Sequence, residues 1–189
     1  MPVTYLLACG HWRKAFADRN WYSGSWWCLR CGGRSRGALA YRMDGMISFQ
    51  VFGDPVAQGS KVMVGKAKKF LVEGNRAKLN PWRQEVAAAA VAAMETGPWR
   101  GAVNVQMTFF LTRPKGHFGT GRNEGTLKAS APRRPAVKPD IDKLTRSVLD
   151  AMTGVVFVDD SQVVTCDAMK LYASDGQPPG VVVNVGPTA

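Results

Sequence analysis

Two runs of alternating side chains set the frame into which this chain must fit. Met46-Ile-Ser-Phe-Gln-Val-Phe52 and Ala102-Val-Asn-Val-Gln-Met-Thr-Phe-Phe-Leu111 both change between apolar and polar at every second position. That is the period of a β-strand, and the longer run reads as a central one. Between them, Asn80 makes a good N-cap and Pro81 suits the first helical position. The spacing predicts a helix from Trp82 to Met94, stopped at Gly97-Pro98. Pro139 to Gly154 reads as a second helix with Gly154 at its end, and Val163–Tyr172 and Val181–Val185 as two closing strands. The expected fold class is α+β: a mixed sheet of about five strands, mostly in hairpin-like order, with two helices on one face. Residues 113–139 form a long basic loop, of a length at which a segment without secondary structure is functional or disordered.

The chain divides near Met46. Residues 1–45 are dense in Trp, Arg, Gly and Cys and show no useful helical or strand period, so they read as a separate N-terminal module or extension. Residues 46–189 read as the main domain. Apolar residues are 46% and charged residues 21% of the 189, which excludes a disordered tail or a collagen-like repeat. No apolar run reaches the ~18 residues of a membrane span. Leu6-Leu7-Ala8-Cys9 imitates a lipoprotein cleavage site but lacks the basic n-region, so no leader is expected. The net charge of +11 is shared by both segments, with seven basic against two acidic residues in 1–45 and eighteen against twelve in 46–189. An excess of this size points to a polyanionic partner, because neutralising phosphates releases counterions.

The chemistry concentrates between Lys138 and Val163. On a helical wheel, Ile141, Leu144, Val148, Leu149 and Met152 gather on one side, which must face the core. Asp142, Arg146 and Asp150 follow at i, i+4 and i+8 on the other flank, beside Lys143. Two readings stand on the residues alone. In one, Asp142 caps the helix and the flank is a solvated ion-pair ladder. In the other, Asp140 and Asp142 meet the second carboxylate pair, Asp159-Asp160, around a cation; such oxygen-rich sites suit Mg²⁺ or Mn²⁺.

Lys138-Pro-Asp-Ile-Asp-Lys-Leu144, Leu149-Asp-Ala-Met-Thr-Gly154 and Val158-Asp-Asp-Ser-Gln-Val163 resemble the RusA-type Holliday junction resolvases. Phe49 to Lys61 also resembles that family's first strand and loop, so the likeness spans about residues 46–186. The resemblance implies that Asp140, Asp142 and Asp160 are the essential carboxylates and hold Mg²⁺; Asp159 stays a further candidate ligand on the reading of the carboxylate pairs. It implies a homodimer that makes paired nicks across a four-way DNA junction. It also implies a cytoplasmic protein of a bacterium or phage-infected host. Two positions depart from the family pattern. Arg146 stands where the family has a catalytic Lys, and Lys143 where it has Asn. Arg keeps the charge and can clamp a phosphate, but is a poor proton donor.

Lys61, Lys66, Lys68 and Lys69 in the first loop, with Arg133, Arg134, Lys138 and Lys143 around the site, are the candidate contacts to DNA phosphates. In the N-terminal module, Cys9-x-His11 and Cys28-x₂-Cys31 supply the four ligands of a tetrahedral Zn²⁺ site and resemble a small zinc ribbon. Cys166 is expected to be buried in its strand, Gln162 to belong to strand pairing, and His117 to decorate a Gly-flanked loop. Two further readings compete with the nuclease. One is a branched- or single-stranded-DNA-binding protein of the same fold whose chemistry is impaired by Arg146. The other is a Zn-organised nucleic-acid adaptor in which the C-terminal domain only dimerises.

Overall fold

The computed structural model describes residues 45–59, 74–174 and 177–188 in full. For seven short strands outside those ranges it describes the backbone alone. In chain order the strands are β1 (Pro2–Leu7), β2 (Trp12–Phe16), β3 (Ser25–Trp27), β4 (Arg34–Arg36), β5 (Ala38–Met43), β6 (Met46–Phe52), β7 (Lys61–Val64), β8 (Phe70–Glu73), β9 (Val103–Leu111), β10 (Val163–Tyr172) and β11 (Gly180–Pro187). Helix α1 spans Arg76–Ala93 and α2 spans Ile141–Met152.

The main sheet has the order β10-β9-β11-β6-β5-β1-β2. Its four strands from the main domain, with two helices on one face, are the α+β arrangement expected. The order is not a run of hairpins. β11 inserts between β9 and β6, antiparallel to both, and β10 lies parallel to β9 at the sheet edge. A parallel pair cannot be closed by a tight turn; it needs a crossover, and α2 is that crossover. At the other side, the backbone of β5 pairs with β6 across the turn at Gly45, and β1 and β2 continue the sheet. The sequence carries no period for these upstream strands. β3 with β4, and β7 with β8, form two separate hairpin pairs.

The alternation in β6 and β9 becomes one buried and one wetter face. Ile47, Phe49 and Val51 from β6, the odd positions Val103 to Leu111 of β9, and Val181, Val183 and Val185 of β11 make the sheet side of the core. Leu79, Trp82, Val86, Ala90 and Ala93 of α1 and Leu144, Val148, Ala151 and Met152 of α2 close over them. Ile141, assigned to the same apolar stripe by its spacing, is 37% exposed because it stands in the first turn of α2, beyond the sheet. Thr153 caps the C-terminus of α2, and Gly154 follows at φ +77, a left-handed position where a side chain would be strained.

Helix α1 starts earlier than its capping residues predict. Asn75, not Asn80, is the N-cap, and Pro81 lies inside the helix. The carbonyl of Asn75 accepts from the N–H groups of Lys78 and Leu79, and Leu79 is fully buried. Pro81 removes only the hydrogen bond to the carbonyl of Ala77, near a wet helix end, and burial of Leu79 outweighs it. Asn80→Ala is therefore expected to change stability by less than about 0.5 kcal/mol, against about 1 kcal/mol for a true N-cap, while Leu79→Ala costs about 2–5 kcal/mol. Denaturant unfolding of the two variants checks both values.

Candidate active site

The first carboxylates stand at the start of α2. Asp140 is its N-cap, extended at φ −71 and ψ 139, and its carbonyl accepts from the N–H of Leu144. Its carboxylate does not cap the helix; Oδ2 instead lies 3.2 Å from Nζ of Lys143, with both side chains nearly half exposed. Asp142, in the first turn, is exposed and makes no hydrogen bond or ion pair among the described residues. The capping explanation thus accounts for neither carboxylate. The helix dipole still favours both charges there.

Two groups hold this helix start in place. Nζ of Lys170, on β10, donates to the carbonyls of Val137 and Pro139 at 2.9 and 2.8 Å. From the other side, the N–H of Gln58 donates to the carbonyl of Lys143 at 3.0 Å. The loop that carries Gln58 is itself tied to α1, because Nδ2 of Asn75 donates to the carbonyl of Ala57. The sequence flagged this loop only by resemblance, and Lys170 not at all. Its one signal is a lone cation between Met169 and Leu171 in an otherwise largely apolar strand.

The second carboxylate pair divides its labour. Asp159 caps a short 3₁₀ turn, Asp160–Gln162, and its Oδ1 accepts from the N–H of Ser161 at 2.9 Å. The side chain of Gln162 accepts in return from the N–H of Asp159, and its Nε2 donates to the carbonyls of Trp99 and Gly101. Gln162 is thus a clamp between this turn and the start of β9, not a strand-pairing residue. The hydroxyl and backbone N–H of Ser161 hold the Asp159 carboxyl below its ordinary value of 3.8. The side chain of Asp160 is exposed and has no partner among the described residues.

These two pairs do not meet within one chain. Lys170 fixes the start of α2 at the C-terminal end of β10, whereas Asp160 precedes Val163 at the N-terminal end. Gln162 ties that same turn to the start of β9, and Phe157 accepts from the N–H of Gly154 just beyond the end of α2. Asp140 and Asp142 are therefore separated from Asp160 by the length of α2, on the order of 18 Å for twelve residues. Consistent with this, no three of His, Cys, Asp and Glu converge to hold a metal ion among the described residues.

The other candidates fall into place around this frame. Arg146 is exposed on α2 and joins neither Asp142 nor Asp150 among the described residues. The ion-pair ladder, one of the two readings of that flank, is not formed among the described residues; Asp150 pairs instead with Arg83 of α1 and ties the two helices together. Arg133, Arg134 and Lys138 are exposed in the segment leading to Asp140. Cys166 is exposed, not buried, in the strand β10 at the edge of the sheet. Burial of part of the thiol and the neighbouring Asp167 push its pKa up. His117 packs edge-on against Tyr172 at 5.3 Å, beside Arg113. Cys9, His11, Cys28 and Cys31 lie outside the described residues, as do Lys66, Lys68 and Lys69 and the side chain of Lys61. No helix among the described residues is long and apolar enough to cross a membrane.

The sheet with two helices on one face presents at the two ends of the crossover helix the exposed side chains of Asp142 and Asp160, which have no partner among the described residues. The family model for Endodeoxyribonuclease RusA matches residues 53–186, and the chain belongs to that nuclease family. It is also 30% identical over 130 residues to the uncharacterized protein YqaN of Bacillus subtilis (strain 168), covering 68% of this chain and 89% of that protein.

The lowered Asp159 pKa has a definite consequence for stability. A carboxyl whose folded pKa is depressed stabilises the fold above its unfolded pKa, and the contribution is lost as pH falls through the folded value. An NMR titration should place the Asp159 carboxyl below 3.8. In Ser161→Ala the midpoint should move part of the way back up, since the backbone donor stays.

Proposed function

We propose that the protein is a divalent-metal-dependent DNA endonuclease that resolves four-way junctions by paired nicks, and that it acts as a homodimer. The observation that carries this reading is the pair of carboxylates that do not cap the helix, Asp140 and Asp142, at one end of α2 while Asp160 stands open at the other. All three offer hard oxygen donors, the chemistry that Mg²⁺ or Mn²⁺ requires, but one chain cannot gather them. A two-fold axis across α2 and the free edge of β10 reverses the direction of the second copy. It sets Asp140 and Asp142 of one chain beside Asp160 of the partner subunit. Two such composite sites follow from one interface, as paired nicks demand. The exposed apolar side chains Val158, Val164 and Met169 on and before β10 give that interface something to bury.

When bound, the cation supplies charge neutralisation at the scissile phosphate and makes water a stronger nucleophile. The chain's own residues do the rest. Asp140, Asp142 and Asp160 would hold the ion. Lys170 and the N–H of Gln58 hold in place the backbone that carries the two α2 carboxylates, so less reorganisation is needed on binding. Arg146, permanently charged, steadies the negative charge that builds on the phosphate; it does not serve as the proton donor. Lys143 balances Asp140 in the absence of the ion. Asp159 has one oxygen committed to Ser161, so its part is to shape the turn that presents Asp160.

An end-labelled synthetic four-way junction incubated with the protein should give symmetric paired nicks in Mg²⁺ and none in EDTA. Asp142→Asn should cut the rate by at least the roughly hundredfold that even outer-shell partners of a metal can cost, with junction binding kept. A retarded complex without nicks in both Mg²⁺ and Mn²⁺ would overturn this reading in favour of a junction-binding protein, with Arg146 the first residue to examine.

A further inference from the structure

The basic segment between β9 and α2 is not structureless. Residues 115–128 close on themselves into a lobe: the N–H of Gly119 donates to the carbonyl of Thr126 at 2.8 Å and that of Lys128 to the carbonyl of His117 at 2.9 Å. Phe118 bridges to Leu127, and Nζ of Lys128 donates to the carbonyl of Gly116. The turns are tight enough to require glycine. A Cβ on Gly119 would lie 2.4 Å from the carbonyl oxygen of Asn123, and Gly121 sits at φ +59. At the lobe's base, the guanidinium of Arg113 stacks 4.2 Å over the Tyr172 ring and donates to the carbonyl of Pro132.

The charges on this segment are unequal in their use. Residues 113–138 hold seven Lys and Arg against Glu124 alone, more than half of the net charge of +11. Arg113 and Lys128 are spent on holding the lobe. The side chains of Lys115, Arg122, Arg133, Arg134 and Lys138 are exposed and make no hydrogen bond or ion pair among the described residues. An ordered lobe that fixes like charges without counter-charges raises its own electrostatic energy, and a polyanion relieves it.

We propose that this lobe is a second grip on DNA, in which Lys115 and Arg122 contact backbone phosphates of a duplex arm away from the bond that is cut. The inference rests on the nuclease reading above and extends it to residues outside the candidate active site. Phosphate contacts of this kind position the duplex and carry no sequence information.

The test is salt-dependent binding of a labelled four-way junction in EDTA, where no cutting occurs, by the wild-type protein and by Lys115→Gln/Arg122→Gln. The variant should bind about tenfold more weakly near physiological salt. Its slope of log affinity against log salt should be shallower by about 2, since each lost phosphate contact removes about 0.9. At saturating protein its Mg²⁺-dependent nicking should match wild type within about twofold, and its thermal midpoint should be unchanged. The charge-preserving Lys115→Arg/Arg122→Lys should bind as wild type does. An unchanged affinity and slope in the Gln variant would overturn the lobe's role while leaving the nuclease reading intact. Loss of nicking at saturation would also overturn it, by placing these residues in the chemistry. A wild-type protein that binds no DNA would overturn both.

Discussion

The parallel pairing of β10 with β9 governs the layout of this molecule. Parallel neighbours must be joined by a crossover that runs the length of the sheet, and in this chain the crossover is the basic lobe followed by α2. Whatever precedes α2 therefore lies at one end of the strands and whatever follows it at the other. The chain places acidic residues at both ends: Asp140 and Asp142 before and within the first turn, Asp159 and Asp160 after the last. The fold then buries Leu144, Val148 and Met152 between them so that α2 cannot shift. The spacing of the carboxylates is a property of the topology rather than of any local contact.

That separation explains features which a single-chain site leaves idle. The carboxylate of Asp140 stands at an N-cap and does not cap, and Asp160 opens a turn whose capping is done by Asp159 and Gln162. The edge strand β10 carries exposed apolar side chains and has no strand beyond it among the described residues. In the two-fold dimer proposed above these would become one arrangement, with each edge covered and each carboxylate set completed. Around it, Lys170, the N–H of Gln58 and Gln162 bond to backbone groups and leave the carboxylates of Asp142 and Asp160 open to solvent.

Much of this was legible in the sequence, where the signal is periodic and local. Strand β6 has the limits its alternation gives, β10 runs over Val163–Tyr172 as expected, and Gly154 marks the end of α2. Local signals misled where a distant contact outbid them. Asn80-Pro81 has the form of a helix start, but Leu79 buries a turn earlier and draws the helix with it. Asp150 has the spacing to pair with Arg146, yet Arg83 reaches it from α1. Cys166 sits in a strand of ordinary hydrophobicity, but whether a strand is central or at an edge is a property of the sheet. The separation of Asp142 from Asp160 is likewise invisible in their spacing, because only the parallel register sets it.

The most direct measurement of a site shared between two chains is complementation. Asp142→Asn and Asp160→Asn, each inactive alone, would be mixed under conditions that allow subunit exchange and given a four-way junction with Mg²⁺. If Asp142 of one chain works with Asp160 of the partner subunit, the mixed dimer holds one intact and one doubly impaired site. It should then recover single nicks on one strand. If the mixture stays as inactive as its components while exchange is shown to occur, each chain carries its own complete site, and the composite site does not exist.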